Sequence, residues 1–152
     1  MSLITEELVV LDLDGLDTVD RHAATRVLAQ TLAGVGRVTD LDGFLADVRK
    51  REEQMPTGIP GGIGIPHARS SHVTEPSLVF GRSAQGIDWG AEDGPATLIF
   101  LIAAPEGGGD DHLKILAALA RRLMRTEFRE SLLNAPDATT VVDVVTREVV
   151  NP

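Results

Sequence analysis

The run "ATLIFLIAAP", from Ala96 to Pro105, restricts the fold more than any other part of this sequence. It is almost free of polar residues, yet it is far shorter than the ~20 apolar residues that a membrane span needs. Such a run is typical of a strand at the centre of a sheet that is covered on both faces. A second apolar run, "SLVFGRS", lies shortly before it, and segments with helical periodicity lie on either side of the pair. The sequence therefore predicts a single-domain α/β sandwich over residues 1–152, with a largely parallel or mixed sheet.

The other predicted elements follow from periodicity and capping residues. "ELVVLDLDG" predicts a strand that ends at Gly15, and Asp17 or Thr18 is the expected cap of a first helix. A second helix is expected to begin near Thr39 or Asp40. Three further helices are predicted over "HLKILAALARRLM", "TEFRESLLNA" and "ATTVVDVVTREVV". The first of these three is expected to turn one stripe towards the core: Leu113, Leu116, Ala117, Ala120 and Leu123.

Charge and composition exclude several classes of function. The net charge of −9 argues against a nucleic-acid binder, because affinity for the phosphate backbone comes largely from clustered Lys and Arg. The absence of cysteine rules out a thiolate nucleophile, a disulfide framework and a Cys-ligated metal. The N-terminus carries acids where a signal peptide would be basic, so a cytoplasmic protein is expected.

The stretch "TGIPGGIGIPHARS" presents one histidine, His67, from an unusually restricted backbone. Pro66 fixes its own φ and pushes Ile65 towards an extended conformation. The upstream glycines allow a ligand or another backbone to come close. A histidine at a strand end is a candidate site residue in an α/β protein. The alternative is a core histidine that is hydrogen-bonded to a carbonyl.

The other three histidines differ in their surroundings. His22 and His72 lie among polar neighbours and are expected on the surface. His112 opens a helix directly after the glycine-rich "PEGGGDD" segment, where unpaired backbone N–H groups favour anions. The alternative is that His112 only starts the helix.

Metal and nucleotide sites are not predicted. His67 and His72 do not have the i, i+4 helical spacing of zinc enzymes, and no third ligand stands beside them. "GGIGIPH" lacks the G-K-[ST] ending of a P-loop, and "GGGDDH" has no GxGxxG register.

The segment "REEQMPTGIPGGIGIPHARS", Arg51 to Ser70, closely resembles the active-site signature of the fructose/mannitol-type (type 2) enzyme IIA domain of the bacterial sugar phosphotransferase system. "LIFLIAAP", followed by "DHLKILAALARRL", is similar to the second signature of that family. The resemblance covers nearly the whole chain and is strongest to the fructose-specific members. One departure is Gly64, where alanine is common.

This resemblance implies a mixed β-sheet with helices on both sides and a role in phosphoryl transfer without a metal or cofactor. The phosphoryl group would come from HPr and pass to a cysteine of enzyme IIB, which serves the enzyme IIC permease, with fructose as the expected sugar. His67 would accept the group, and His112 and Arg51 would stabilise it. The domain would be cytoplasmic, either free or tethered to a permease. Two alternatives use the same histidine: a nitrogen-type regulatory enzyme IIA, and a phosphorylation-controlled module of a transcription regulator.

The family phosphorylates the Nε2 nitrogen, so Nδ1–H of His67 should donate to a nearby carbonyl, which sets the tautomer. The glycine run is expected to leave room for a partner protein to approach.

Overall fold

The computed structural model describes residues 3–16, 20–107 and 111–150, and for residues 111 and 112 the backbone alone. None of the described helices is both long and apolar enough to cross a bilayer. The elements are, in order, a 3₁₀-helix Glu6–Leu8, β1 Val9–Val10, α1 Arg21–Gly34, α2 Leu41–Gln54, β2 Gly58–Ile59, β3 Ile63–Gly64, β4 His67–Ser70, β5 Ser77–Ile87, β6 Ala96–Pro105, α3 Asp111–Leu123, α4 Thr126–Leu133, α5 Ala138–Val145 and a π-helix Thr146–Val150.

Strand β6 lies at the centre of a mixed sheet, as its apolar sequence predicts. The order is β1-β5-β6-β3-β2, and β4 also pairs with β6. β5 runs antiparallel to β6, whereas β3 and β4 run parallel to it. All β6 residues from Leu98 to Ala104 are buried, so both faces of the strand are covered. Helix α2 packs against β4, and helices α3 and α4 pack against β6.

Residues 3–16 differ from the prediction. The expected strand is only Val9–Val10, preceded by the 3₁₀-helix. Asp14 is not an outward-facing strand residue, because its carboxylate accepts bonds from the backbone N–H groups of Ala84 and Gln85 at 2.8 and 3.1 Å. The side-chain hydrogen bond from Ser83 is the main cause that lowers the pKa of Asp14.

Helix capping is predicted correctly for one helix and wrongly for the other. Asp40 caps α2, and its side chain accepts from the backbone N–H of Gly43 at 3.2 Å. Helix α1 is capped by Asp20, which accepts from the N–H of Ala23 at 2.8 Å, and not by Asp17 or Thr18. These last two residues lie outside the described ranges.

Candidate functional site

His67 begins β4 at an interruption in one edge of the sheet. β3 and β4 pair in succession with the same edge of β6, with Gly64 opposite Ile99 and His67 opposite Ile102. Pro66 lies between them, and its carbonyl accepts from the N–H of Ile102 at 3.0 Å. Because proline has no N–H, the interruption leaves no donor unpaired at this residue. The position of His67 is therefore fixed by the central strand of the sheet.

The imidazole of His67 is half-buried, and its Nδ1 lies 2.9 Å from the carbonyl oxygen of Ile65. A carbonyl oxygen can only accept, so Nδ1 carries the proton and the lone pair of the ring lies on Nε2. The hydrogen bond expected from the sequence is present. This arrangement makes Nε2 the nucleophilic nitrogen of the ring.

Two glycines of the stretch before His67 serve internal packing, which differs from the expected role of leaving room for a partner. A Cβ on Gly64 would lie 2.6 Å from the ring of Trp89, and one on Gly58 would lie 2.5 Å from the Trp89 carbonyl oxygen. Gly58 also donates its N–H to that oxygen at 3.1 Å. Trp89 is fully buried. The bare backbone of β2 and β3 thus accommodates a large side chain of the same protein.

Replacing Gly64 with alanine should destabilise the fold by about 1–3 kcal/mol, the usual cost of overpacking a core. The added methyl group has nowhere to go unless the indole of Trp89 moves. Trp89 is the only tryptophan, so its fluorescence reports the shift during denaturant unfolding. Gly34→Ala is the matched control, because nothing lies within 4 Å of its Cβ. Equal midpoints for Gly64→Ala and the wild type would contradict this packing argument.

His67 opens onto a cleft of about 400 Å³ between α2, β4 and α3. The lining residues are Asp47, Lys50, Arg51, Gln54, His67, Ala68, Arg69, Ile102, Ala104, Leu113 and Leu116. Among the lining residues that the structure describes, the cations Lys50, Arg51 and Arg69 outnumber the one acid, Asp47, although the chain as a whole carries a net charge of −9. The cleft is thus suited to an anionic group next to a nucleophilic nitrogen.

Arg51 lies in this cleft with His67, as the sequence analysis expects. It belongs to the last turn of α2, and its Nη1 donates to the carbonyl of Met55 at 3.2 Å. This bond fixes one corner of the guanidinium, which has further N–H donors for an anion. Asp47 is held in turn by the hydroxyl of Ser70, which donates to its carboxylate at 2.6 Å.

Lys50 and Arg69 are cleft residues that the sequence reasoning missed. A signal for Arg69 was available, because residues i and i+2 of a strand point to the same face and β4 begins at His67. Lys50 directly precedes Arg51 on α2, but nothing in the sequence distinguishes it from the other charges of "RKREE".

The side chain of His112 falls outside the described part of the structure, so its role stays a prediction. Its backbone lies in the first turn of α3, and the next residue, Leu113, lines the cleft. Leu113 was expected in the core but is 54% exposed, and Ala117 and Ala120 are exposed as well. The core-facing residues of α3 are Ala118, Leu119 and Leu123.

His22 and His72 do not line this cleft. His22 borders a separate cavity of about 260 Å³ between α1 and α2, and His72 lies 3.9 Å from the carboxylate of Asp40. Both are half-buried, whereas the sequence suggested solvated surface positions. Within residues 3–16, 20–107 and 113–150, no three acidic or histidine side chains are placed to hold a metal ion.

Comparison with known proteins gives a family match over almost the full length. The model of "Phosphoenolpyruvate-dependent sugar phosphotransferase system, EIIA 2" matches residues 2–148. A fructose-specific EIIA component from Haloferax volcanii is 45% identical over 85% of this chain and 84% of its own length. A fructose-specific EIIABC component from Bacillus subtilis is 35% identical over 94% of this chain. This chain spans only 22% of that longer relative.

Solved structures of the same kind share the fold. The nitrogen regulatory protein IIA-Ntr from Neisseria meningitidis superposes with a TM-score of 0.84 at 26% identity, covering 95% of this chain and 97% of its own. IIA mannitol from Escherichia coli gives a TM-score of 0.77 at 22% identity, covering 93% and 98%. The mixed sheet with flanking helices is therefore the enzyme IIA fold. Together with the family match, these likenesses show that the chain is a phosphotransferase component and belongs to the EIIA 2 family of the phosphoenolpyruvate-dependent sugar phosphotransferase system.

Proposed function

We propose that this chain carries a phosphoryl group from HPr to enzyme IIB, in a system that takes up and phosphorylates fructose. The observation that supports it most directly is the bond from His67 Nδ1–H to the Ile65 carbonyl, which leaves the ring lone pair on Nε2 beside a cationic cleft. The sugar is inferred from the fructose-specific relative, 45% identical. The assignment of IIB as acceptor is supported by a solved complex of mannitol enzyme IIA with phosphorylated IIB, in which the enzyme IIA has the same fold as this chain.

The transfer consists of two displacements at phosphorus. In the first, the Nε2 lone pair of His67 attacks the phosphoryl group of phospho-HPr, a new N–P bond forms, and the old N–P bond breaks with its electrons returning to the HPr imidazole. In the second, the IIB thiolate attacks, an S–P bond forms, and the electrons of the N–P bond return to Nε2. Arg51 and His112 stabilise the equatorial oxygens during both steps, with Lys50 and Arg69 supplying further positive charge.

The function is tested by reconstitution with phosphoenolpyruvate, enzyme I and HPr, followed by a fructose-type or a mannitol-type IIB. We expect acid-labile phosphate on this chain and faster transfer to the fructose-type IIB. A chain that takes no label would refute the carrier function.

A regulatory role is the second candidate, favoured by the likeness to IIA-Ntr at a TM-score of 0.84. In that case the chain would take label from HPr but pass it to neither IIB. The same experiment therefore separates the two functions.

Replacing Arg51 with lysine should slow transfer to IIB about tenfold. The ammonium of lysine keeps the charge. Unlike the planar guanidinium, it cannot bond the Met55 carbonyl and an oxygen of the phosphoryl group at the same time in a fixed geometry. Loss of one hydrogen bond to a charged group costs ~1.5–3 kcal/mol, of which the retained charge recovers a part. Single-turnover transfer to IIB measures the effect.

Arg49→Lys is the matched control for this change. Arg49 is on the same helix but points to solvent, where it pairs with Glu53 at 3.5 Å. Wild-type transfer by Arg51→Lys would show that the planar guanidinium is not needed.

A further inference from the structure

Glu52 is a buried carboxylate directly next to Arg51 on α2. Its side chain is only 6% exposed, although glutamate is rarely buried without specific partners. The partners are supplied mainly by Thr57, whose backbone N–H donates to one carboxylate oxygen at 2.6 Å and whose hydroxyl donates to the other at 2.5 Å. Arg21, from α1, lies 3.5 Å away as the counter-ion. Both oxygens of the carboxylate are therefore engaged.

Thr57 connects this carboxylate to the strand before His67. The carbonyl of Thr57 accepts the N–H of Ile65 at 3.1 Å. The carbonyl of Ile65 in turn accepts Nδ1–H of His67 at 2.9 Å. An unbroken series of contacts thus runs from Arg21 through Glu52, Thr57 and Ile65 to the imidazole.

The strongest acceptor in this series is the carboxylate of Glu52. A carboxylate holds its donors more strongly than a neutral oxygen does. Glu52 binds both the N–H and the hydroxyl of Thr57, so it fixes the plane of the peptide group between Pro56 and Thr57. The next peptide group along the chain carries the Thr57 carbonyl, which accepts from Ile65. If that plane rotates, the Thr57 carbonyl turns away from the N–H of Ile65. Ile65, whose own carbonyl is the acceptor that selects the tautomer of His67, then loses one of the bonds that hold it in place.

We propose that Glu52 is a positioning residue for the transfer reaction: through Thr57 and Ile65 it holds His67 in the tautomer and orientation that present Nε2. The inference rests on the proposed carrier function, but it concerns a state of the ring that exists before any phosphate is transferred. Arg21 places a positive charge 3.5 Å from the buried carboxylate and links the series to α1.

The test is Glu52→Gln, which keeps the length of the side chain but turns an N–H₂ group towards one of the two Thr57 donors. ¹⁵N NMR of histidine-labelled, unphosphorylated protein reads which ring nitrogen of His67 carries the proton. We expect a single Nδ1–H form in the wild type and a mixture in Glu52→Gln. Transfer from phospho-HPr should fall about tenfold, the lower end of what losing the orienting partner of a histidine costs.

Glu53→Gln is the matched control, because Glu53 is the next residue, is exposed, and pairs only with Arg49 among the described residues. It should leave the His67 spectrum and the transfer rate unchanged. If Glu52→Gln does not fold, Thr57→Val is tested by the same NMR and transfer measurements. It removes only the hydroxyl that donates to the Glu52 carboxylate at 2.5 Å.

A purely structural role would lower the melting temperature without changing the ring. The proposal is overturned if the folded variant shows the wild-type His67 spectrum and wild-type transfer. Because the NMR measurement needs no phosphate, a chain that never becomes labelled would refute the carrier function and leave the positioning role to be decided by the spectrum.

Discussion

Replacing His67 with alanine should reduce acid-labile labelling from phosphoenolpyruvate, enzyme I and HPr to background. The substitution removes the imidazole of His67, which lies in the cationic cleft with its proton held on Nδ1. Water cannot take over the role of the imidazole, because a carrier must hold the phosphoryl group by a covalent bond to phosphorus. Transfer to IIB should stop as well.

Two matched histidine variants control this result. His22→Ala and His72→Ala remove the same group outside the cleft, and both should become labelled at the wild-type rate. Circular dichroism checks that each variant is folded. Label that persists on His67→Ala, and that mass spectrometry locates on another histidine, would contradict the assignment of the acceptor.

His112→Ala should slow both half-reactions by ~10²–10³-fold, the usual cost of losing one donor to a developing charge. This expectation comes from the second family signature and from the location of α3, whose Leu113 lines the cleft. The variant should still accept phosphate, because Nδ1 of His67 is held by Ile65 and not by α3.

Single-turnover transfer measures both steps separately, first from phospho-HPr and then to IIB. Leu113→Ala removes a neighbouring side chain of the same helix and should have a much smaller effect on the rates, because it offers no hydrogen bond. If His112→Ala accepts and passes on the phosphoryl group at the wild-type rates, His112 only starts the helix, since alanine is a good helix former at the start of α3.

The sequence predicts well those elements whose patterns have one physical cause. The run Ala96–Pro105 has almost no polar residue, which is typical of a strand covered on both faces, so the centre of the sheet could be predicted. The cap at Asp40 is similar, since an acid just before an apolar helical pattern has few other uses.

The first predicted strand shows where such reasoning is insufficient. Alternating apolar and acidic residues in "VVLDLDG" match a strand that faces water, but Asp14 binds the backbone of β5 and Asp12 accepts the N–H of Gly15 at 3.2 Å in a turn. Aspartate competes for backbone donors in this way, and the alternation alone does not reveal it. Similarly, the single helix predicted over "ATTVVDVVTREVV" changes to a π-helix at Thr146.

Some features of the candidate site could likewise be predicted from the sequence, and others depend on tertiary packing. The restricted backbone around Pro66 follows from the local sequence, whereas the bond from His67 Nδ1–H to a carbonyl is expected from the family resemblance. The i, i+2 relation of Arg69 to His67 is local, but the approach of Lys50 and Arg51 depends on how α2 packs against β4, which no local pattern encodes. Glu52 reads as one more surface charge in "RKREE", and only its burial identifies it.

The contact between Gly64 and Trp89 has an evolutionary consequence. The two residues share one fixed volume, so neither position can vary independently of the other. A lineage can exchange Gly64 for a larger residue only after position 89 has become smaller, and the reverse order passes through an overpacked intermediate. The order of mutations is thus constrained in the stretch just before His67, and descendants of this chain should change the two positions as a pair.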